Sequence, residues 1–600
     1  MLLATLVCVG AYWSGLYGPL LLDDTSNLGR ILSPEFGPDD ALISLLNDSG
    51  LLKRPIAMLS FIINGLTGKD LFYWKLTNLI IHLCTGILLY FLTTRLLRYA
   101  NADSRLMAAI VAAVWLLHPI QVSTVLYTVQ RMTELSALFV FAAILSYTIA
   151  RERQEKRMTA WPLQLLTWLI FFPLGIFSKE NALLFPIFIL LLEIFLFSRE
   201  SFNNQRLIKI AFLVLPFIVI AIVFAGDWIL AGYEARGFTV LERLYTESRV
   251  IVAYLGMLLI PAQRRMGFAH DDFPLSYGLL DPWTTLPSIT AILILIFIAF
   301  FLRKKHPLIG FGILFFFSGH AMESTVISLE LMYEHRNYLP SFGILLATVA
   351  TLNIIVKNRT IITTFTTIAF CLLIFTTHVS ANTWSSAVTL YYYMEMTHPH
   401  SERLAAIKST QFADTQQYAL ALKRLEGFNS LGARFHRLNI HCLENGRLDN
   451  QLLNIDFNHA RLADNYAVMQ LTDLANRGLD NECDFSSEFF VTLLNRFYEL
   501  PTLTNANRQI VLMYRAHYLW GMNRKEDALE TLNKTFIINK KNPIPLFLAC
   551  QWLLDTYRME EAKSTCNTAL QVADNDMLDK YMSFASKTRA RLESLETITH

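Results

Sequence analysis

Up to about Thr377 the chain alternates apolar runs with short charged loops, and beyond that point no comparable run occurs. The runs are Leu2–Leu22, Leu76–Thr94, Leu106–Leu117, Leu135–Ala150, Trp161–Phe177, Leu183–Phe197, Ile208–Ala225, Thr285–Leu302, Leu308–Met322, Leu339–Val356 and Ile361–Thr377. Crossing a bilayer takes roughly 20 apolar residues in a helix, so the pattern predicts about eleven transmembrane helices. An odd number of spans puts the two termini on opposite sides. If the spans alternate, Arg95, Arg98 and Arg105, then Arg151, Arg153, Lys156 and Arg157, then Arg199, Arg206 and Lys209, then Arg303, Lys304 and Lys305, then Lys357 and Arg359 all fall on one side. The positive-inside rule makes that side cytoplasmic and the C-terminal region extracytoplasmic. Val250–Ile260 is too short to span, ends at Pro261 and runs into a polar stretch to Asp272, so an interfacial or re-entrant segment is expected there. The first run has no basic residues before it and no small-residue cleavage site, which favours an anchor over a signal peptide.

Residues 384–600 carry helical patterning instead. Asn523-Arg-Lys-Glu-Asp-Ala-Leu-Glu-Thr-Leu-Asn-Lys-Thr-Phe536 aligns without gaps to Tyr557-Arg-Met-Glu-Glu-Ala-Lys-Ser-Thr-Cys-Asn-Thr-Ala-Leu570, an offset of 34 residues. That is the tetratricopeptide period. Ala528 and Ala562 leave room for paired helices, Pro543 falls between the units, and stretches such as Gln416–Leu425 and Glu488–Tyr498 are expected to add degenerate units. The expected fold is therefore all-α, with a polytopic membrane domain at 1–383 and an α-solenoid domain at 384–600 that could hold a protein or peptide.

Composition narrows the class. At 54% hydrophobic and 17% charged residues, with mean hydropathy +0.38, the 600-residue chain is too apolar for an ordinary soluble enzyme or a disordered protein. A net charge of +2 gives none of the basic field that nucleic-acid binding needs. The seven cysteines divide between membrane runs (Cys8, Cys84, Cys371) and the C-terminal region (Cys442, Cys483, Cys550, Cys566) with no CxxC pair. No zinc or iron-sulfur site is suggested, and the last four read as small buried helix residues in preference to disulfides.

Candidate chemistry sits in four loops predicted on the outer side. Asp23-Asp24 follows the first run directly, where two adjacent carboxylates must be solvated, paired or used. His118-Pro119, then Gln130-Arg131 and Glu134, flank the fourth span; Ser178-Lys179-Glu180 makes a tight hairpin; Glu330 and Tyr333-Glu334-His335-Arg336-Asn337-Tyr338-Leu339-Pro340-Ser341 precede the tenth. Any one cluster could be a set of solvated interface anchors. Four on one face suggest a convergent site.

Together with the repeats, these residues resemble the transmembrane and tetratricopeptide-repeat protein O-mannosyltransferases and their bacterial relatives, which belong to the GT-C fold of polyprenyl-phosphate-sugar-dependent glycosyltransferases. The resemblance rests most on the Ser178-Lys179-Glu180 hairpin and the Tyr338-Leu339-Pro340-Ser341 run. Glu334-His335-Arg336-Asn337 stands where relatives show an acidic residue and Arg. What the resemblance implies is an inverting transfer of sugar from a polyprenyl-linked donor, with undecaprenyl the expected lipid, to a hydroxyl of an exported protein presented by the repeats. Asp23 or Asp24 would be the base, with Asp24 also able to bind a divalent cation such as Mg or Mn. Arg131, Lys179 and Arg336 would grip the donor phosphate, since cations in a low-dielectric site stabilise charge that grows on a leaving group. His118, Glu134, Glu180, Glu334, His335 and Tyr338 would support them.

A same-fold transferase acting on a glycan or lipid, or a non-catalytic membrane scaffold, would share much of this layout. A transporter would instead want ionisable groups deep within spans. With no KDEL-type ending at Thr597-Ile-Thr-His600, a bacterial inner membrane with periplasmic repeats is expected over an endoplasmic-reticulum membrane with lumenal repeats. The short sequons at Asn47 and Asn533 are of the kind that arise by chance.

Overall fold

Among the described residues, five helices are long and apolar enough to cross a membrane: Leu71–Tyr99, Thr128–Glu155, Glu180–Phe197, Thr285–Leu302 and Thr360–Thr383. At about 1.5 Å per residue the shortest of these, 18 residues, reaches close to the hydrocarbon thickness of a bilayer. A sixth is broken, with Arg105–Leu116 and Pro119–Leu126 meeting at 46°. Pro119 explains the break, because it has no N–H for the helix ladder and drives His118 to an extended conformation (φ −78°, ψ 126°). Leu2–Tyr17, Trp161–Ile176, Pro307–Gly319 and Ser341–Ile355 are shorter apolar helices on four more of the expected runs.

This computed structural model describes residues 1–45, 52–102, 104–197, 232–233, 236–356, 358–455, 457, 464–575 and 586–590. The expected span Ile208–Ala225 and the sequon at Asn47 lie outside them. The described residues form no strand, only one isolated bridge between Arg447 and Asp484. Val250–Ile260 is the second half of a 20-residue helix, Val240–Leu259, whose first half carries Arg243, Glu247 and Arg249.

The chain divides into two compact units, Met1–Ile229 with Val240–Ser401, and Leu230–Thr239 with Glu402–His600. The division falls after the helix Ala387–Thr397, so this helix belongs to the first unit rather than to the region beginning at 384. Within that unit the helices Pro307–Gly319 and Ser341–Ile355 approach backbone to backbone. A Cβ on Gly312 would lie 2.2 Å from the Gly343 carbonyl, and one on Gly343 would lie 2.4 Å from that of Gly312. In an apolar medium this close approach supplies packing that water-driven burial cannot.

The second unit is a series of helices from Glu402–Asp414 to Met559–Asn575. Both copies of the 34-residue repeat begin with a left-handed residue, Asn523 (φ 62°) and Tyr557 (φ 58°). The next N–H in each, of Arg524 and of Arg558, closes on the carbonyl five residues back. Gln416 (φ 58°) and Gln417 repeat the arrangement between Glu402–Asp414 and Tyr418–Arg424. This helix stop satisfies terminal carbonyls that would otherwise be orphaned. Ala528 and Ala562 are fully buried at the helix contacts.

The reading of the four C-terminal cysteines as unpaired core residues is corrected. Cys442 bonds Cys483 and Cys550 bonds Cys566, with Cα separations of 5.6 and 5.0 Å. Helix pairing brings side chains 41 and 16 residues apart in sequence within bonding reach, which spacing alone does not reveal. Cys8, Cys84 and Cys371 are free.

Candidate active site

The two adjacent aspartates have opposite surroundings. Leu22 takes a positive φ of 31°, a sterically disfavoured turn for a branched side chain, and the helix Asp23–Leu32 starts immediately after it. Asp24 is thereby turned inward. Its Oδ1 accepts the Val129 N–H (2.7 Å) and its Oδ2 the Leu21 N–H (3.0 Å), close to the Lys75 ammonium, which itself donates to the Pro19 carbonyl (3.0 Å). Burial pushes the Asp24 carboxyl up to about 6, against the pull of both N–H groups and Lys75. Each Asp24 oxygen accepts one backbone N–H, which fixes this buried carboxylate in place. Asp23 is exposed. Its N–H donates to Tyr127 Oη (2.7 Å) and its carbonyl accepts from Asn27 Nδ2 (2.8 Å), while its carboxylate takes no hydrogen bond among the described residues.

Lys179 and Arg336 line one cavity, with Thr133, Ser136, Asn181 and the apolar Leu339. Lys179 Nζ donates to Thr133 Oγ1 (3.0 Å) and pairs with Glu323 Oε1 (3.0 Å). Glu180, next to it, turns away to Arg54, meeting its Nε at 3.0 Å and its second terminal nitrogen at 2.9 Å. The Arg336 guanidinium donates to the Glu330 and Leu331 carbonyls (2.6 and 2.9 Å), lies 4.0 Å from Glu247 and sits over the Tyr333 ring. His335 stacks on Tyr333, and burial together with the Lys179 charge pushes its pKa well down, so its ring stays neutral. Burial pushes the Glu247 carboxyl up to about 7, while Arg336 and Arg243 work against it.

Glu334 lies across the same short turn, Glu334–Asn337, and lines a second cavity with Ser123, Gln263, Ser380, Trp384 and Tyr393. Its Oε1 accepts the Gly267 N–H (2.7 Å) and pairs with His270 Nε2 (2.5 Å). Burial opposes charge on His270, yet Glu334, Asp272 and Asp271 outweigh it and hold that pKa above the ordinary range. No Lys or Arg lines this cavity, so the two sides of the turn differ in sign. The Tyr333 backbone is held both ways by Tyr254 Oη (2.8 and 2.9 Å), and its ring packs against His335 and the Arg336 guanidinium.

Three sequence candidates prove structural. Arg131 is fully buried and donates to Asn78 Oδ1 (2.7 Å) and to the carbonyls of Ser60 (3.0 Å) and Trp74 (2.8 Å), with its guanidinium over Phe61. It staples three helices and leaves the phosphate-binding set. His118 ties the broken span, accepting from the Ile120 N–H (3.2 Å) and bonding the Leu258 carbonyl (3.1 Å). Tyr338 meets His82 Nδ1 (3.0 Å) inside the bundle, and its carbonyl accepts from Trp115 (3.1 Å). Glu134 is buried deeper still, near Tyr12, Tyr338 and Arg131, with neither carboxylate oxygen hydrogen-bonded.

No family model matches the chain, and no curated protein or solved structure matches it either. What the site can do rests on its own side chains. Two cations beside hydroxyl and amide groups, with Leu184, Leu339 and Ala137 completing the wall, border a cavity of about 20 Å³ where a negatively charged oxygen would be favoured. An exposed carboxylate without a hydrogen-bond partner, Asp23, is free to take a proton. No group of three or more His, Cys, Asp or Glu able to hold a metal ion occurs among the described residues. The residues missed in the sequence are Glu323, Arg243, Glu247 and Tyr127. Arg243 and Glu247 carried a signal, an i,i+4 pair closing at 2.8 Å on the polar first half of their helix, whereas Glu323 stood as a lone acid at the end of a run.

Proposed function

We propose that the protein is a polytopic GT-C-type glycosyltransferase with about eleven spans and an extracytoplasmic tetratricopeptide-like solenoid, moving sugar from a polyprenyl-phosphate donor to a hydroxyl of an exported protein. The observation that carries this reading is the cavity lined by Lys179 and Arg336 beside hydroxyl and amide groups; on this reading the exposed Asp23, whose carboxylate takes no hydrogen bond among the described residues, serves the same site. The acceptor oxygen attacks the anomeric carbon and Asp23 takes its proton. The bond from that carbon to the phosphate oxygen breaks, its electron pair stays on the phosphate, and Lys179 and Arg336 balance the charge that grows there. Attack opposite the leaving group inverts the anomeric centre. The proton-free phosphate is a good leaving group, so no general acid is required of the site.

The two disulfides of the second unit support an oxidising compartment for it, in keeping with a periplasmic or lumenal side. On that side the repeats would present the acceptor, while an undecaprenyl or related donor enters laterally from lipid. In the test, purified protein in lipid nanodiscs is supplied with labelled polyprenyl-phosphate hexoses and an exported-protein acceptor. Transfer is expected, and Asp23→Asn should lower it by about 100- to 10,000-fold with the fold intact. Unchanged transfer in that variant removes Asp23 as the base. Label recovered on glycan or lipid, with none on protein, moves the acceptor class.

A further inference from the structure

Glu323 has no part in the transfer as written, yet it occupies the cationic cavity's own donors. Its carboxylate pairs with Lys179 Nζ at 3.0 Å and is also hydrogen-bonded by Asn181, and both partners line the cavity. Burial would push this carboxyl up, but Lys179 and Arg336 overrule it and hold it well below the usual carboxylate range. Glu323 is therefore ionised and competes for the positions an incoming anion needs.

The backbone around it is pinned. Arg243 donates to the carbonyls of Glu323 (2.8 Å), Thr325 (2.9 Å) and Leu329 and is itself held by Glu247 (2.8 Å). Residues 320–333 form no helix, so the Glu323 side chain is not locked by helix neighbours on its own element. A fixed backbone outside any helix, carrying a side chain bonded to the cavity's own donors Lys179 and Asn181, is the arrangement expected of a displaceable counter-ion. Buried cations without a partner cost several kcal/mol each, so a cavity that binds and releases an anion needs something to neutralise Lys179 between turnovers. The donor's phosphodiester matches the carboxylate's single charge with two free oxygens, and the phosphomonoester left after transfer carries more charge and three, so each can take the donors that Glu323 holds.

We propose that Glu323 is an internal stand-in for the donor phosphate, bonded to Lys179 and Asn181 before the donor binds and swung off them by rotation of its side chain when the phosphate arrives. This rests on the reading of the cavity as the donor-phosphate site. The consequence has a sign: removing the stand-in should tighten anion binding, although the residue lies in the site.

The test measures farnesyl phosphate binding by full-length protein in nanodiscs for wild type, Glu323→Gln, Glu323→Asp and Lys179→Met, with size-exclusion profiles confirming folding. Wild type is expected to bind, Lys179→Met to lose binding, and Glu323→Gln to bind about tenfold more tightly while unfolding at a lower temperature without ligand. Should Glu323→Gln fail to fold, Glu323→Asp, whose carboxylate is drawn back by one methylene, is expected to gain about two- to threefold. Weaker or unchanged binding in the folded Glu323 variants, with Lys179→Met still impaired, overturns the stand-in and makes Glu323 a strut for Lys179, leaving the donor-site reading in place. If folded wild type does not bind farnesyl phosphate, the donor-site reading fails and the stand-in fails with it.

Discussion

The helix Arg131–Glu155 carries a buried ionic cluster at each end, and the two are built differently. Near its last turns Arg151 meets Glu193 at 2.6 Å, Tyr147 donates to the same carboxylate at 2.8 Å, and Arg95 and Arg98 close on Glu152. Near its first turn Thr133 holds Lys179, which pairs with Glu323, while Arg336 reaches toward Glu247. Lys179 and Arg336 border a cavity, and Arg151 and Glu193 border neither of the two cavities described above. Charge that closes on itself is a fastening. Charge that faces a hollow has been kept available, and burial alone does not distinguish the two.

The sharpest way to break this contrast is to delete one partner at each end. Glu193→Ala strands a buried guanidinium and is expected to cost about 3–5 kcal/mol of stability, with specific transfer by the surviving folded fraction unchanged. Lys179→Met is expected to lower transfer by about 100-fold with a smaller fall in unfolding temperature. Thermal unfolding and transfer measured on the same preparations decide it; equal destabilisation, or lost turnover in the Glu193 variant, would erase the distinction.

The second unit offers an intermediate case, held by covalent closure instead of charge. Cys550→Ser with Cys566→Ser opens a link across 16 residues and should lower that unit's stability by about 3 kcal/mol, read as a separate calorimetric transition. Arg131→Lys comes next. Lysine cannot reach all three acceptors, so about 1–3 kcal/mol should be lost while farnesyl phosphate binding stays as in wild type. Weakened binding there would return Arg131 to the phosphate site. The smallest effect concerns pH. His270 has a folded pKa above the ordinary 6.5, so its pair with Glu334 stabilises fully below about pH 6.5 and is lost as pH rises through the folded value. His270→Gln should flatten that decline in a plot of unfolding temperature against pH, and an unaltered slope would show that the pair does not report on stability.

Much of the framework was legible in the pattern. Run length located all five long helices and four of the six shorter apolar ones but passed over Pro55–Thr67, which read as loop, and Ile544–Asp555, and the two copies of the 34-residue offset both start on left-handed turns, at Asn523 and Tyr557. The site was legible only in outline, because its outcome depends on backbone directions that composition does not encode. Asp23 and Asp24 are chemically identical neighbours, and the positive φ at Leu22 sends one inward. Arg131 and Lys179 both read as cations at a span's end, but Arg131 finds three acceptors around it while Lys179 finds a cavity wall. Glu323 had no neighbour in sequence to flag it, since its partner lies on a hairpin far along the chain.

The distribution of sulfur also bears on how the protein can be handled. All four cysteines of the second unit are oxidised in pairs, whereas Cys84 and Cys371 are exposed thiols on apolar helices and Cys8 is buried. On the proposed topology the paired cysteines lie on the oxidising side, and the exposed thiols lie within apolar helices. Lipid-soluble maleimide should label Cys84 and Cys371 without reduction, and a water-soluble reagent should reach the remaining thiols only after a reductant has acted from their side. The chain thus contains its own gauge of sidedness, readable by mass without adding a tag.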